Sequence, residues 1–309
     1  MNQTIQTLQE NIPLIKNATS IEGLSKGFSP EQKYIVCIQD RKLLLRVSDS
    51  HMFNRKKREF QILKDLSEVG VRTPEPLEVG MIDSSEFCYT LYSFMDGMDG
   101  LEAIKRMTDK EQFDLGVEVG HELRKLHVYQ APESVGTWYD RAMAKHNRYI
   151  EAYKTCGIQI QHAEKIANFI ENHKHLLKNR PNQFQHDDIH LGNIIVKDKQ
   201  YEGLIDFGNF DWGDPFHDFV KVGLFQREIS VPFSRGQVMG YFDGDVPSEF
   251  WSLYSVYVAM VLFSSIVWSL KSSPEQVEDM IRRVNMILVD HDYFNLVKPT
   301  WFEGSDCDE

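Results

Sequence analysis

Oxygen donors crowd into one stretch of the chain: Phe184-Gln185-His186-Asp187-Asp188-Ile189-His190-Leu191-Gly192-Asn193, then Leu204-Ile205-Asp206-Phe207-Gly208 a short way on. His186-x-Asp188, with Asn193 five residues later, puts a carboxylate and an amide oxygen at the two ends of one loop. Asp206 returns beside that loop 13 residues after Asn193, across what reads as a hairpin. Phosphoryl transfer to a hydroxyl asks for such a set. One carboxylate orients the hydroxyl and accepts its proton, and oxygen ligands hold magnesium against the phosphates. Acids that merely cap turns would explain either half alone; both halves at hairpin spacing argue for chemistry.

Rival chemistries fit less well. His186 and His190 stand at i and i+4, as in a zinc hydrolase, but that motif needs one helix face, and Gly192-Asn193 and a strand follow at once. No G-x-x-x-x-G-K-[ST] is present, so a P-loop mechanism is excluded. The run Arg55-Lys56-Lys57-Arg58 reads as a solvated helix face, and a net charge of −12 opposes general affinity for nucleic acid.

The elements that must position these groups are legible in outline. Residues from about Asn2 to Ile15 have helical character, and Tyr34–Ile38, Leu43–Val47 and Phe87–Phe94 read as strands. Gln39-Asp40-Arg41 makes the first two a hairpin, and a charged helix over about Met52 to Ser67 precedes an extended Thr73-Pro74-Glu75-Pro76. Beyond Gly97 the periodicity turns helical. Leu115, Val119, Leu123 and Leu126 form one stripe, and Ile166, Ile170, His173 and Leu177 another. Strands over Asn193–Val196 and Gly203–Ile205 flank the polar turn Lys197–Tyr201. Ser273-Pro274-Glu275-Gln276 predicts a capping box opening the helix that holds Val277, Met280, Ile281, Val284, Ile287 and Leu288. Tyr254 to Leu270 is charge-free, yet it is short of the ~20 residues of a membrane span and interrupted by serines, which predicts a buried helix. The expected organisation is a strand-rich lobe over residues 1–93, a hinge at 94–98 with a cleft above it, and a helical lobe over 99–309.

With these residues in place, the chain resembles the aminoglycoside phosphotransferase family of small-molecule kinases. The family pattern reads H-G-D-x-x-x-x-N, I-D-[FW]-G and G-D-P-x-x-D. Here it stands as His186-Asp187-Asp188…Asn193, Ile205-Asp206-Phe207-Gly208 and Gly213-Asp214-Pro215-Phe216-His217-Asp218. The resemblance implies an α+β, bilobal protein-kinase-like fold with a small strand-rich N-terminal lobe and a larger helical C-terminal lobe. It makes Asp188 the catalytic aspartate, Asn193 and Asp206 the ligands of Mg2+, and Asp218 an internal support of the loop. Asp187 departs from the family glycine. Only four residues separate Gly208 from Gly213, too few for the activation segment that receives a peptide in protein kinases, so the acceptor is expected to be small.

The same resemblance extends to the N-terminal lobe. Arg46 in Leu44-Leu45-Arg46-Val47 matches the strand cation that meets the α/β-phosphates, paired with Glu59 of the following helix. Gly23-Leu24-Ser25-Lys26-Gly27-Phe28-Ser29 is placed as the phosphate-covering loop, with Ser29 near the nucleotide. Tyr92-Ser93-Phe94-Met95-Asp96-Gly97 matches the hinge, with adenine bonding the backbone at Ser93 and Met95. Leu126-His127 matches a family Leu-His and is read as packing. The implied donor is ATP or GTP. The acceptor is a hydroxyl compound, an aminoglycoside-type antibiotic or a metabolite such as a choline-like alcohol, homoserine or a sugar. A catalytically inactive nucleotide-binding protein is the other class in view.

Composition sets the setting. At 309 residues, 42% hydrophobic and 26% charged, the sequence is that of a globular protein with room for two domains. Its acidic balance suits a cationic acceptor. Cys37, Cys88, Cys156 and Cys307 are widely spaced, which predicts thiols in a reducing compartment. The polar Met-Asn-Gln-Thr start lacks signal-peptide character, so a cytoplasmic protein is expected, with neither membrane nor nucleic-acid partners.

Overall fold

The computed structural model describes residues 2–24, 31–83 and 85–303. Ser29 and most of the expected phosphate-covering loop lie outside them, as does Cys307. The chain divides into two compact units, one of residues 1–98, 195–198 and 202–208, the other of the remainder.

In chain order the first unit holds helix α1 (Asn2–Asn11), strands β1 (Ser20–Gly23), β2 (Gln32–Ile38) and β3 (Arg41–Asp49), helix α2 (Phe53–Glu68), and strands β4 (Pro76–Met81) and β5 (Phe87–Ser93). The five strands make one antiparallel sheet in the order β1-β2-β3-β5-β4. The central strand β3 is buried on both faces, and its side chains alternate between two environments. Leu43, Leu45 and Val47 join Val36, Tyr89 and Leu91 in an apolar core that Leu8, Ile12 and Ile15 complete. Arg46 and Ser48 project to the other face, where α2 lies. Helix α2 buries Lys56, Glu59, Leu63 and Leu66, a stripe at helical spacing whose first turns are ionic and whose last are apolar. Lys56 corrects the reading of its basic run as a solvated face: Arg55, Lys57 and Arg58 are exposed, but Lys56 is buried. Strands β1 and β4 have no counterpart in the sequence reading, being short, half-buried edges with weak alternation.

The rest of the chain follows with the short strand β6 (Met98–Asp99), helices α3 (Gly100–Ala103), α4 (Asp109–Leu126), α5 (Trp138–Lys154) and α6 (Ala163–His173), strands β7 (Gln183–Gln185), β8 (Ile194–Lys197), β9 (Gln200–Leu204) and β10 (Asp211–Gly213), and helices α7 (Val231–Tyr241), α8 (Ser248–Ser272), α9 (Val277–Asp290) and α10 (Thr300–Glu303). Strands β8 and β9 form the expected hairpin, turned at Asp198-Lys199, both with positive φ. Its residues are divided between the two units.

Helix α4 opens on a full capping box, Thr108 with Glu111, and buries the expected Leu115, Val119, Leu123 and Leu126. Its partner is α7, and the approach is unusually close. A Cβ on Gly116 would lie 2.2 Å from the Phe233 carbonyl oxygen, and one on Gly120 2.3 Å from that of Gln237. The relation is reciprocal, since Gly236 and Gly240 meet the carbonyls of Phe113 and Val117 at 2.1 and 2.2 Å. Two Gly-x-x-x-Gly stripes therefore let the helix backbones touch. Helix α8 packs against α5, α6 and α9. It is the one helix among the described residues long and apolar enough to cross a membrane, and two thirds of its apolar window is buried inside the fold, as befits a core helix. The capping box at Ser273 does not form. Its side chain makes no cap hydrogen bond, because a 3-10 turn, Pro274–Gln276, intervenes before α9.

Candidate active site

Within the first unit, Arg46 sits at the centre of a buried ionic cluster. Its Nη1 lies 3.3 Å from Glu59 Oε1, the pair expected from sequence. Its Nε donates to Glu31 Oε2 at 2.6 Å, its Nη2 also meets Glu31, and Nη2 is 3.6 Å from Asp206 Oδ1. Lys56 Nζ bridges Glu31 (2.6 Å) and Glu59 (2.9 Å), and Ser48 donates to Glu31 at 2.7 Å. Burial alone would raise the Glu31 carboxyl, but Arg46, Lys56 and the Ser48 hydroxyl overcome it and hold the group down at about 2. Arg46 is likewise driven up: burial works against its charge, but Glu59, Glu31 and Asp206 outweigh it. The cluster fixes the guanidinium rigidly beside Asp206. Sequence reasoning missed Glu31 and Lys56, whose only signal is their place one strand or one helical turn from residues already chosen.

Asp206 occupies the left-handed region (φ +66°), a conformation that aspartate tolerates better than most residues and that marks functional turns. Gly208 follows, its carbonyl held by the Arg55 guanidinium.

At the expected hinge, one backbone donor is already in use. The Ser93 N–H donates to the Glu75 carbonyl at 2.9 Å and its Oγ accepts from the Glu75 N–H at 2.8 Å, so Ser93 has no N–H to offer adenine. Edge pairing with the segment before β4 claims it. The Phe94 N–H is spent on the Lys42 carbonyl. No hydrogen bond to the Met95 N–H forms among the described residues, and the Met95 side chain lies against Gly203, where a Cβ would come within 2.0 Å of Met95 Cε.

In the second unit, the loop from His186 to Asn193 is held from beneath. Asp218 is wholly buried and accepts from the backbone N–H groups of His186 and Asp187, both at 2.8 Å. His127, the residue that ends α4, approaches Asp218 Oδ2 with Nε2 at 3.1 Å and the Tyr241 hydroxyl with Nδ1 at 3.0 Å. Burial pushes the Asp218 carboxyl up, but His127 and the loop N–H groups more than reverse this, so it stays ionised as the acceptor. His127 thus does more than pack: it joins the α4–α7 pair to the loop.

Asp188 is half-buried within this loop. Asn193 Nδ2 donates to the Asp188 carbonyl at 2.9 Å and lies 3.4 Å from its Oδ2. Lys221 Nζ donates to Asp188 Oδ1 at 3.1 Å, and His190 Nε2 is 3.7 Å away. Burial raises the Asp188 carboxyl, yet Lys221 and His190 pull it below the ordinary carboxylate range, so it is ionised at neutral pH. Asp187 has φ +58°, which explains the glycine of the motif: the loop turns through the left-handed region here. Its carboxylate lies 3.5 Å from His217 Nδ1 and 3.9 Å from Lys145 Nζ. Asp214 ties down the chain after β10. It caps Phe216 N–H at 3.1 Å, receives Arg180 Nε at 2.6 Å and accepts from the Tyr257 hydroxyl at 2.7 Å.

The donors are suited to a hard cation. With its Nδ2 on Asp188, the Asn193 amide has Oδ1 left to offer, and Asp206 presents a part-exposed carboxylate. Among the described residues no three His, Cys, Asp or Glu side chains cluster as an all-protein metal cage. An amide oxygen and a carboxylate are each the kind of hard oxygen donor that Mg2+ accepts when water and phosphate complete its shell.

A five-stranded antiparallel sheet with its strand arginine paired to a helix glutamate, and a helical unit holding an H-x-D…N loop, define a phosphotransferase of the protein-kinase-like fold, α+β in class. Residues 20–250 match the Phosphotransferase enzyme family, and the chain belongs to it. It is a small-molecule kinase. A search among curated proteins returns no match. Among solved structures, it is similar to the GDP complex of an aminoglycoside 2′-phosphotransferase-IIIa mutant (TM-score 0.72, 14% identity, 96% of this chain and 99% of that one). It is also similar to aminoglycoside phosphotransferase APH(4)-Ia (0.70, 14%, 93% and 98%) and to the gentamicin complex of APH(2″)-IIa (0.65, 17%, 92% and 96%). At these identities the likeness shows the fold.

Proposed function

We propose that the chain transfers the terminal phosphate of ATP or GTP to a hydroxyl of a small molecule, with Asp188 as the catalytic carboxylate. The observation that carries this reading is the Asp188 carboxylate itself, ionised and held in a loop whose backbone is locked onto Asp218. Asp188 orients the acceptor hydroxyl and takes up its proton as the oxygen–phosphorus bond forms. Arg46, steadied by Glu31 and Glu59, supplies its positive charge to the donor phosphates, and the Met95 N–H is the hinge donor for the base. Asn193 and Asp206 would hold Mg2+, which when bound offsets the negative charge of the phosphates. A nucleotide donor is in keeping with solved structures of the same fold that contain ADP, AMP-PNP or GDP.

For the acceptor, similar folds are known with hygromycin B, gentamicin or streptomycin bound. An aminoglycoside-type antibiotic therefore heads the panel, with choline-like alcohols, homoserine and sugars after it, and antibiotic resistance is the role it would imply. We place the enzyme in the cytoplasm, where ATP is supplied. The test is consumption of ATP and GTP, with Mg2+, across this panel. Transfer to at least one acceptor is expected, lost about 10²–10⁴-fold in Asp188→Ala and abolished by chelation. Nucleotide binding without turnover on any acceptor would favour an inactive nucleotide-binding protein.

A further inference from the structure

The segment after Asp218 carries a cation that the motif reading passed over. It runs from a 3-10 helix, Pro215–Phe219, through Lys221 into one turn of π-helix, Val222–Gln226, closed by the Arg227 N–H on the Val222 carbonyl at 2.9 Å. Such turns are rare and concentrate at functional sites. Three side chains of this segment grip the loop around Asp188. Asp218 takes the N–H groups of His186 and Asp187, buried Gln226 donates from Nε2 to the Ile189 carbonyl at 2.9 Å, and Lys221 reaches the Asp188 carboxylate. Asp218 and Gln226 hold backbone on either side of Asp188; Lys221 alone addresses its reacting atoms. The lysine is four-fifths buried, with its ammonium 5.5 Å from the centre of the Phe225 ring, so it is a fixed charge rather than a mobile surface one.

We propose that Lys221 is a positioning residue that neutralises Asp188 so that this carboxylate can work beside a terminal phosphate; the proposal rests on the phosphotransferase reading above. The need is electrostatic. A terminal phosphate brings about two negative charges toward a carboxylate, and like charges at short range repel strongly wherever water is thin. An ammonium bonded to Oδ1 cancels that repulsion and leaves Oδ2, which among the described residues only the long 3.4 Å approach of Asn193 Nδ2 touches, for the acceptor hydroxyl. In the reaction the hydroxyl proton passes to Asp188, the new oxygen–phosphorus bond forms, and the bridging bond to the departing diphosphate breaks. Lys221 takes no part in the proton transfer.

Removing the cation should therefore penalise ATP, whose third phosphate approaches Asp188, and spare ADP, which lacks it. Calorimetric binding of Mg-ATP and Mg-ADP to the full chain tests this, with thermal melting to verify that each variant folds. Lys221→Met is expected to weaken ATP by about tenfold while ADP stays within about twofold. Lys221→Arg restores ATP binding by replacing the charge. In an Asp188→Asn background, which has no carboxylate to neutralise, the same Lys221→Met change should cost ATP nothing. Equal losses for ATP and ADP, unaltered ATP binding, or a loss that persists in the Asp188→Asn background would each overturn the proposal while leaving the phosphotransferase reading intact. Wild-type protein that binds neither nucleotide would instead remove that reading, and this inference with it.

Discussion

Replacing Gly236 by alanine tests the link from helix packing to the loop at Asp188. The added Cβ would sit 2.1 Å from the Phe113 carbonyl oxygen, whereas ordinary contact begins at 3.4 Å, so α4 and α7 must part by roughly an ångström. The obstructing atom is backbone and cannot rotate away. Overpacking in a filled core costs about 1–3 kcal/mol, and a backbone obstacle puts this site at the upper end. Better helix propensity returns about 1 kcal/mol of that. A net loss of about 2 kcal/mol should lower the melting temperature by about 4–8 °C. Activity should fall further than stability. His127 at the end of α4 and Tyr241 at the end of α7 share a hydrogen bond, and His127 also holds Asp218. Thermal melting and ATP turnover below the transition measure both effects. Gly136→Ala is the control, since nothing lies within 4 Å of a Cβ there and no positive φ is involved. A Gly236→Ala protein melting within roughly 2 °C of wild type, with normal turnover, would refute the reasoning.

Three further outcomes are expected. Asp218→Ala strands the buried His186 N–H, the part-buried Asp187 N–H and the His127 ring, and should cost about 3–5 kcal/mol in denaturant unfolding together with most of the turnover. His291 is buried and held down at about 4, since burial outweighs the Leu296 carbonyl that supports its proton. Its folded value lies below its unfolded one, so only the unfolded state gains protons as pH falls. Stability is therefore complete above about pH 6.5 and lost progressively as pH drops toward 4, by about 3 kcal/mol. His291→Phe should flatten that slope, and an unchanged slope would exonerate this group. Finally, Asp187→Gly should fold within about 1 kcal/mol of wild type, whereas Asp187→Val, β-branched at φ +58°, should cost more; equal melting of the two would contradict the left-handed turn.

Much of this architecture was legible before folding, because the signals were local. The spacing of Asp188, Asn193 and Asp206 is set by one loop and one hairpin, and the stripe on α4 by helical periodicity. Long-range partners were not legible. Lys56 reads as one of four basic residues in a row, yet it is the one that the pitch of α2 turns inward toward Glu31. The pairing of the Ser93 N–H with the Glu75 carbonyl, 18 residues back, has no local signal either. Asp218, by contrast, was expected as a support and takes the loop N–H groups directly.

The sequence alone determined the class of reaction, because its motifs are local, and it singled out Asp188, Asn193 and Asp206 as the residues proposed to carry it. Tertiary structure decided what surrounds them. Lys221 meets Asp188 across 33 residues, Gln226 meets Ile189 across 37, and His127 meets Asp218 across 91. Contacts at that separation depend on how two glycine-faced helices close and where a π turn aims its side chains. Those are properties of packed backbone, and no local spacing encodes them.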